Sequence, residues 1–170
     1  AASEADASAT VYAVSTVQEE LGLQGAKMVG FDLDPDAVVA VDVTHATDTP
    51  DVPGKRSNGV ELGAGPVVAR GSANHPQLVE SLRSVADEEN VDVQLEATGI
   101  RTGTDADAFY TQRGGVPSVN LGLPNRYMHT PVEVIDTADL TNAATLLGAF
   151  AVAAESLAPF GVDVDTASGG

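Results

Sequence analysis

Glu19 and Glu20 stand side by side after the apolar run Val11-Tyr12-Ala13-Val14 and before two glycines, Gly22 and Gly25. Neighbouring side chains leave the backbone in different directions, so one carboxylate can hold a metal ion while the other takes a proton from that ion's water. Further on, Val38-Val39-Ala40-Val41 runs straight into Asp42. An aspartate on a buried strand needs a partner, either a cation or a capping contact at the strand end. In Asn125-Arg126-Tyr127-Met128-His129-Thr130-Pro131-Val132-Glu133, a histidine lies in a loop just before a proline. Imidazole nitrogen with carboxylate oxygen is the donor set of a catalytic zinc or related ion, with one position kept for water. Each signal is ordinary alone, because paired acids are commonly solvated surface charge and loop histidines are commonly structural. Together they are compatible with a bound divalent ion whose water a neighbouring carboxylate deprotonates.

These residues need elements to gather them. Apolar β-branched runs alternate with helical patterns, which predicts an α/β domain. Strands are expected at 11–16, 37–43, 65–69, 91–97 and 116–121. A helix is expected over 76–89, after Asn74, with Leu78, Leu82 and Val85 as its apolar stripe, and His75 near its start. A shorter helix is expected over 104–113, capped by Thr102 or Thr104. The longest covers 139–157, with Leu140, Ala144, Leu147, Ala151 and Ala154 on one side and Pro159 at its end. Glu19, Glu20, Asp42, Asp105 and His129 then fall where strands give way to loops, and in open α/β sheets the carboxyl ends of strands face a shared crevice. His45 reads as a loop residue. The reading divides the chain into an extension at 1–9, one domain at 10–158 and a frayed tail at 159–170.

Composition narrows the partners. The 170 residues suffice for one domain with a core. No cysteine is present, so a metal must be held by His, Asp and Glu. Acids number 25 against 8 Lys and Arg, a net charge of −17, which repels nucleic-acid backbones and anionic membranes alike. No apolar run is expected to approach the roughly 20 residues of a membrane span. Residues 1–10 lack the pattern of a secretory signal, so the cytoplasm is the expected location. The dispersed acids, with only Lys27 and Lys55 as lysines, resemble the composition of salt-loving archaeal proteins, whose self-repulsion salt screens.

The order of motifs is more specific than any one of them. Thr16-Val17-Gln18-Glu19-Glu20-Leu21-Gly22-Leu23-Gln24-Gly25-Ala26, Val41-Asp42-Val43-Thr44, Asp48-Thr49-Pro50, Gly103-Thr104-Asp105-Ala106 and the segment from Arg126 to Glu133 resemble, in order and spacing, the dinuclear-metal aminopeptidases of the tetrahedral-aminopeptidase and glutamyl-aminopeptidase family. Some of its members carry endoglucanase labels. The resemblance implies a three-layer αβα fold with a central mixed sheet, of phosphorylase/hydrolase-like metallopeptidase type. It implies Glu19 as the general base, Glu20 and His129 as ligands of one ion, and Asp42 as a ligand of the other. Asp105 and Arg126 are implied beside the site, behind the ligands or against the substrate; for Asp105, a helix-first-turn acid favoured by the dipole is an equal alternative. Two divalent ions are implied, zinc or cobalt foremost.

The same resemblance implies a protein about twice as long. The absent N-terminal half would supply a His-x-Asp motif, an aspartate bridging both ions, and an inserted assembly domain. His45 and His75 lie in no matching context. The expectation is therefore the C-terminal part of a peptide-cleaving aminopeptidase, incomplete on its N-terminal side, acting as a homo-oligomer or with a complementing chain. A competing reading is a non-catalytic assembly or regulatory subunit that pairs with a full-length relative. A glycoside hydrolase ranks last, since four Phe, three Tyr and no Trp leave few platforms for sugars.

Overall fold

The computed structural model describes residues 7–50, 52 and 58–161. The expected N-terminal extension and frayed tail lie largely outside these residues. The elements are α1 (Gln24–Asp32), β1 (Val38–His45), β2 (Val67–Arg70), α2 (Pro76–Glu89), β3 (Gln94–Ala97), α3 (Ala106–Phe109), β4 (Ser118–Asn125) and α4 (Thr137–Leu157).

Four strands form one mixed sheet in the order β1-β4-β2-β3. β1 runs parallel to β4, β2 antiparallel to β4, and β2 parallel to β3. Strand alternation sends Val39, Val68, Val119 and Leu121 to the face where Leu78, Leu82 and Val85 of α2 meet Leu146 and Phe150 of α4. The opposite parity places Val38 in a second cluster with Ala26 of α1, Ala108 and Phe109 of α3, and Val116. Helices thus flank the sheet. In the row that matters for the site, Asp42 lies opposite Gly122, which lies opposite Val67. A Cβ at Gly122 would sit 2.9 Å from Thr44 Cγ2 on the paired strand β1, so any larger residue there would have to displace that side chain.

α2 has the bounds its pattern predicts, with Pro76 in the first turn, where its missing N–H costs nothing, and Asn90 ending it in the left-handed region. α4 begins two residues before expectation because Asp136 accepts a hydrogen bond from Ala138 N at 2.8 Å. Its buried face overlaps the expected stripe only in part: Leu147, Ala151 and Ala154 do meet the core, but Ala144 is exposed. Asp139, Ala143, Leu146, Phe150 and Ala151 point inward, while Leu140 is exposed. Apolar residues surround most of this helix, so periodicity leaves its rotation open. Among the described residues it is also the one helix long and apolar enough by length and composition to cross a membrane, contrary to expectation. Its packing on α2 and the sheet covers one side, while Leu140 and Val152 stay exposed.

Four further expectations are corrected. Residues 11–16 form no strand; Val11, Tyr12 and Val14 are exposed, because a β-branched run becomes a strand only with a ladder partner, and β1 offers it none. Gly25 lies inside α1, whose weak apolar pattern hid it. The 104–113 helix shrinks to Ala106–Phe109, since Gly114 and Gly115 follow closely and Asp107 folds back on Thr102 N at 2.8 Å and Gly103 N at 3.1 Å. β1 extends beyond Val43, so His45 is its last residue and Asp42 lies within the strand, because pairing with β4 continues to Asn125.

Candidate active site

The acid pair sits on a turn, not on a strand end. Glu19 O accepts from Gly22 N and Leu23 N, both at 3.0 Å, and Val17 O accepts from Gly25 N at 3.0 Å. This folds residues 17–25 back onto the start of α1. Gln18 and Leu23 adopt positive φ, 60° and 61°, which costs non-glycine residues about 1–2 kcal/mol each. Gly25 permits the closure: a Cβ there would lie 2.6 Å from both Val17 N and Val17 O. Gly25→Ala is expected to displace the acid turn and lower the melting temperature by several degrees, a loss of about 1–3 kcal/mol as for other overpacked sites. An unchanged melting curve would show the turn to be soft.

The turn leaves Glu19 half-buried and Glu20 exposed, the divergence expected of neighbours. Glu20 Oε1 lies 3.2 Å from His129 Nε2. The Glu19 carboxyl is held above its ordinary value, first by burial and then by Asp42, Glu20 and Asp105, with His129 opposing. Burial also raises Asp42; its hydrogen bond from Val43 N at 2.7 Å pulls the other way, Asp105 and Glu20 raise it further, and His129 lowers it. Glu19, Glu20, Asp42, Asp105 and His129 therefore share one electrostatic neighbourhood, and all five came from the sequence reading. Asp105 Oδ2 accepts from the Thr16 hydroxyl, which ties the acid turn to the start of α3, while its buried Oδ1 has no partner.

The charge in this neighbourhood calls for a cation, and the donor chemistry suits zinc or cobalt. Among the described residues, no three His, Asp or Glu side chains come close enough together to enclose an ion. His45 and His75 do not join the cluster. His45 closes β1 on the surface, and His75 precedes α2, where burial lowers its ring's pKa.

Arg126 does not face the cluster as a free cation. It binds Asp48 through two contacts, Nε to Oδ1 at 2.8 Å and NH2 to Oδ2 at 2.5 Å, and Asp48 Oδ2 also accepts from Leu62 N at 3.0 Å. The paired guanidinium holds Asp48 down to about 2. A carboxylate with a lowered folded-state value stabilises the fold above its unfolded value and loses that contribution as pH falls through the folded one. The stability gap between the native chain and Asp48→Asn is expected to be constant above pH 5 and to close from about 3.8 down to about 2. Urea midpoints across that range measure it; a gap that ignores pH would assign Asp48 another role.

Glu133 was missed as a site residue. Its Oε1 accepts from His129 N at 2.7 Å and its Oε2 from Asn125 Nδ2 at 2.8 Å, and these bonds hold its carboxyl below the ordinary value. The signal available was its fixed place four residues after His129, across a proline. Asp48 likewise appeared only as a motif letter; among 25 acids and 8 Lys and Arg, nothing in the sequence singles out which acid an arginine will take.

A sequence model of the M42 glutamyl aminopeptidases matches residues 1–146. The chain belongs to the M42 family. Lysyl aminopeptidase of Pyrococcus furiosus is 39% identical over 138 residues, covering 81% of this chain and 39% of that protein. Aminopeptidase APDkam598 of the archaeon Desulfurococcus kamchatkensis superposes with a TM-score of 0.79 at 36% identity, covering 88% of this chain and 44% of that one. The Pyrococcus horikoshii TET1 peptidase, described as assembling into a tetrahedron or a large octahedral shell, has a TM-score of 0.62 at 30% identity and is covered over 39% of its length by 80% of this chain. This M42 chain thus spans 39% to 44% of these relatives. Its four-stranded sheet and flanking helices match part of their fold.

Proposed function

We propose that this chain is the C-terminal catalytic part of a metal-dependent aminopeptidase that removes N-terminal residues from peptides, and that it acts once the rest of the fold is supplied. The observation that carries the reading is the Glu20–His129 contact of 3.2 Å, with Glu19 and Asp42 held protonation-prone beside it, in a chain of M42 descent. Glu19 takes a proton from the attacking water and returns it to the leaving amine; its raised value suits a group that must both accept and donate. Glu20, Asp42 and His129 would hold divalent metal, zinc or cobalt foremost, which when bound acidifies water and polarises the peptide carbonyl. Asp105 steadies the acid turn through Thr16, and Arg126 steadies the loop of His129 through Asp48.

The proposal extends to setting. Missing donors would come from a complementing N-terminal segment, and the open edge of β1 is where a strand could join the sheet. Assembly into a homo-oligomer and a cytoplasmic, high-salt environment complete the reading; the net charge of −17 is then screened rather than destabilising. The alternative is a non-catalytic assembly or regulatory subunit, which is favoured by the lack, among the described residues, of a third close donor.

The test is peptide-bond cleavage and metal content at high salt with added zinc or cobalt. The chain is assayed alone, with the N-terminal portion of an M42 relative, and with a full-length relative. Turnover of leucine p-nitroanilide with two ions per complex in the second mixture is the expected result. A stable complex with the full-length relative, without turnover or metal in the others, would establish the subunit reading instead.

A further inference from the structure

We infer that Glu133 is the positioning residue that aims His129 at Glu20, an inference that rests on reading His129 as part of the site. Residues 127–133 form a closed loop between β4 and α4, its neck shut by Arg126 N to Val134 O at 2.9 Å and Val134 N to Arg126 O at 3.1 Å. Inside it Tyr127 and His129 both take positive φ, 62° and 63°, a conformation uncommon outside glycine though less so for histidine than for tyrosine. The side chains of His129 and Glu20 are 67% and 75% exposed, and an ion pair that open to water does not fix its own geometry. Direction has to come from the backbone.

Glu133 supplies it. The carboxylate turns back into the loop and receives the His129 amide on one oxygen, while its other oxygen receives Asn125 Nδ2. Asn125 is 1% exposed at the end of β4, so the clamp is anchored in the sheet rather than in the loop. Thr130 adds a second tie, its hydroxyl donating to Tyr127 O at 2.6 Å, and the Arg126–Asp48 pair braces the neck from outside. Asn125 Oδ1 is buried without a partner. A glutamine at 133 could therefore keep the clamp: its oxygen receives the His129 amide, and its NH2 donates to a flipped Asn125.

The chain has three histidines, His45, His75 and His129, so their ring signals can be followed individually by NMR on the full chain. In Glu133→Ala, the His129 ring is expected to move toward its position in Glu20→Gln, and its amide to exchange with solvent at least about tenfold faster, while His45 and His75 stay in place. Glu133→Gln is expected to restore both His129 signatures. Should Glu133→Ala not fold, Glu133→Asp, one methylene short of spanning both donors, is read the same way and should lose His129 amide protection. An unmoved His129 in the folded variant, or equal movement of all three rings, would overturn the inference, as would a glutamine variant that behaves like alanine. No step requires turnover, so a failure of the aminopeptidase reading would show separately in the cleavage assay.

Discussion

In the completed complex, Glu19→Gln is expected to lower kcat by about 10²–10⁴-fold with KM nearly unchanged, the range for loss of a positioned general base. Glutamine keeps the shape and the turn, since Glu19 anchors residues 17–25 through its backbone carbonyl and not its side chain. What it loses is the ability to take a proton. The pH profile carries the sign: a base works deprotonated, so activity should rise through the raised value of Glu19, and that limb should vanish in the variant. Stability should move the other way. Burial and the neighbouring carboxylates disfavour the charged form of Glu19, so the folded chain binds this proton more tightly than the unfolded one. That linkage makes the ionised group a net cost at neutral pH, and Glu19→Gln should unfold at equal or higher urea than the native chain. A variant that loses activity and stability together would point to a damaged turn instead.

The candidate cluster was legible because its chemistry is carried by residue type and order. Glu19, Glu20, Asp42, Asp105 and His129 stand out in motifs, and the structure brings all five within electrostatic reach. Their supports were harder to see. The strand expected at 11–16 depends on a ladder partner that local sequence does not encode, so a convincing β-branched run lies exposed. α1 was hidden in part by Gly25, which reads as loop but serves close packing against Val17, as Gly30 does against Phe109. α2 was recovered to the residue because its apolar stripe is flanked by polar faces. α4 was recovered in rotation only in part, Leu147, Ala151 and Ala154 meeting the core but Leu140 not, because a helix apolar on several sides gives little contrast. Its inward face is settled by one acid that the stripe reading passed over.

That acid is Asp139, and Asp139→Ala carries the largest expected effect on stability. It is 1% exposed, in the first turn of α4, where the helix dipole favours negative charge. Its Oδ2 accepts from Gly63 N and its Oδ1 from Gly65 N, each at 2.8 Å. Leu62, the residue before Gly63, has its amide bound by Asp48, the partner of Arg126. Removing the carboxylate leaves two amides without an acceptor, one of them in a buried contact, and each bond to a charged group is worth about 1.5–3 kcal/mol. The expected loss is about 3–5 kcal/mol, a large share of the roughly 5–15 kcal/mol that holds a domain together. Asp139→Asn keeps one acceptor and should fall between. Asp87→Ala, at an exposed acid of α2, should change stability by less than about 0.5 kcal/mol. Salt separates this bond from the surface charge. Added salt should raise the stability of every variant by screening self-repulsion, yet leave the gap between the native chain and Asp139→Ala intact, because a buried charge bound to amides is shielded from counterions. A gap that closed at high salt would place Asp139 among the solvated acids and remove it as the anchor of α4.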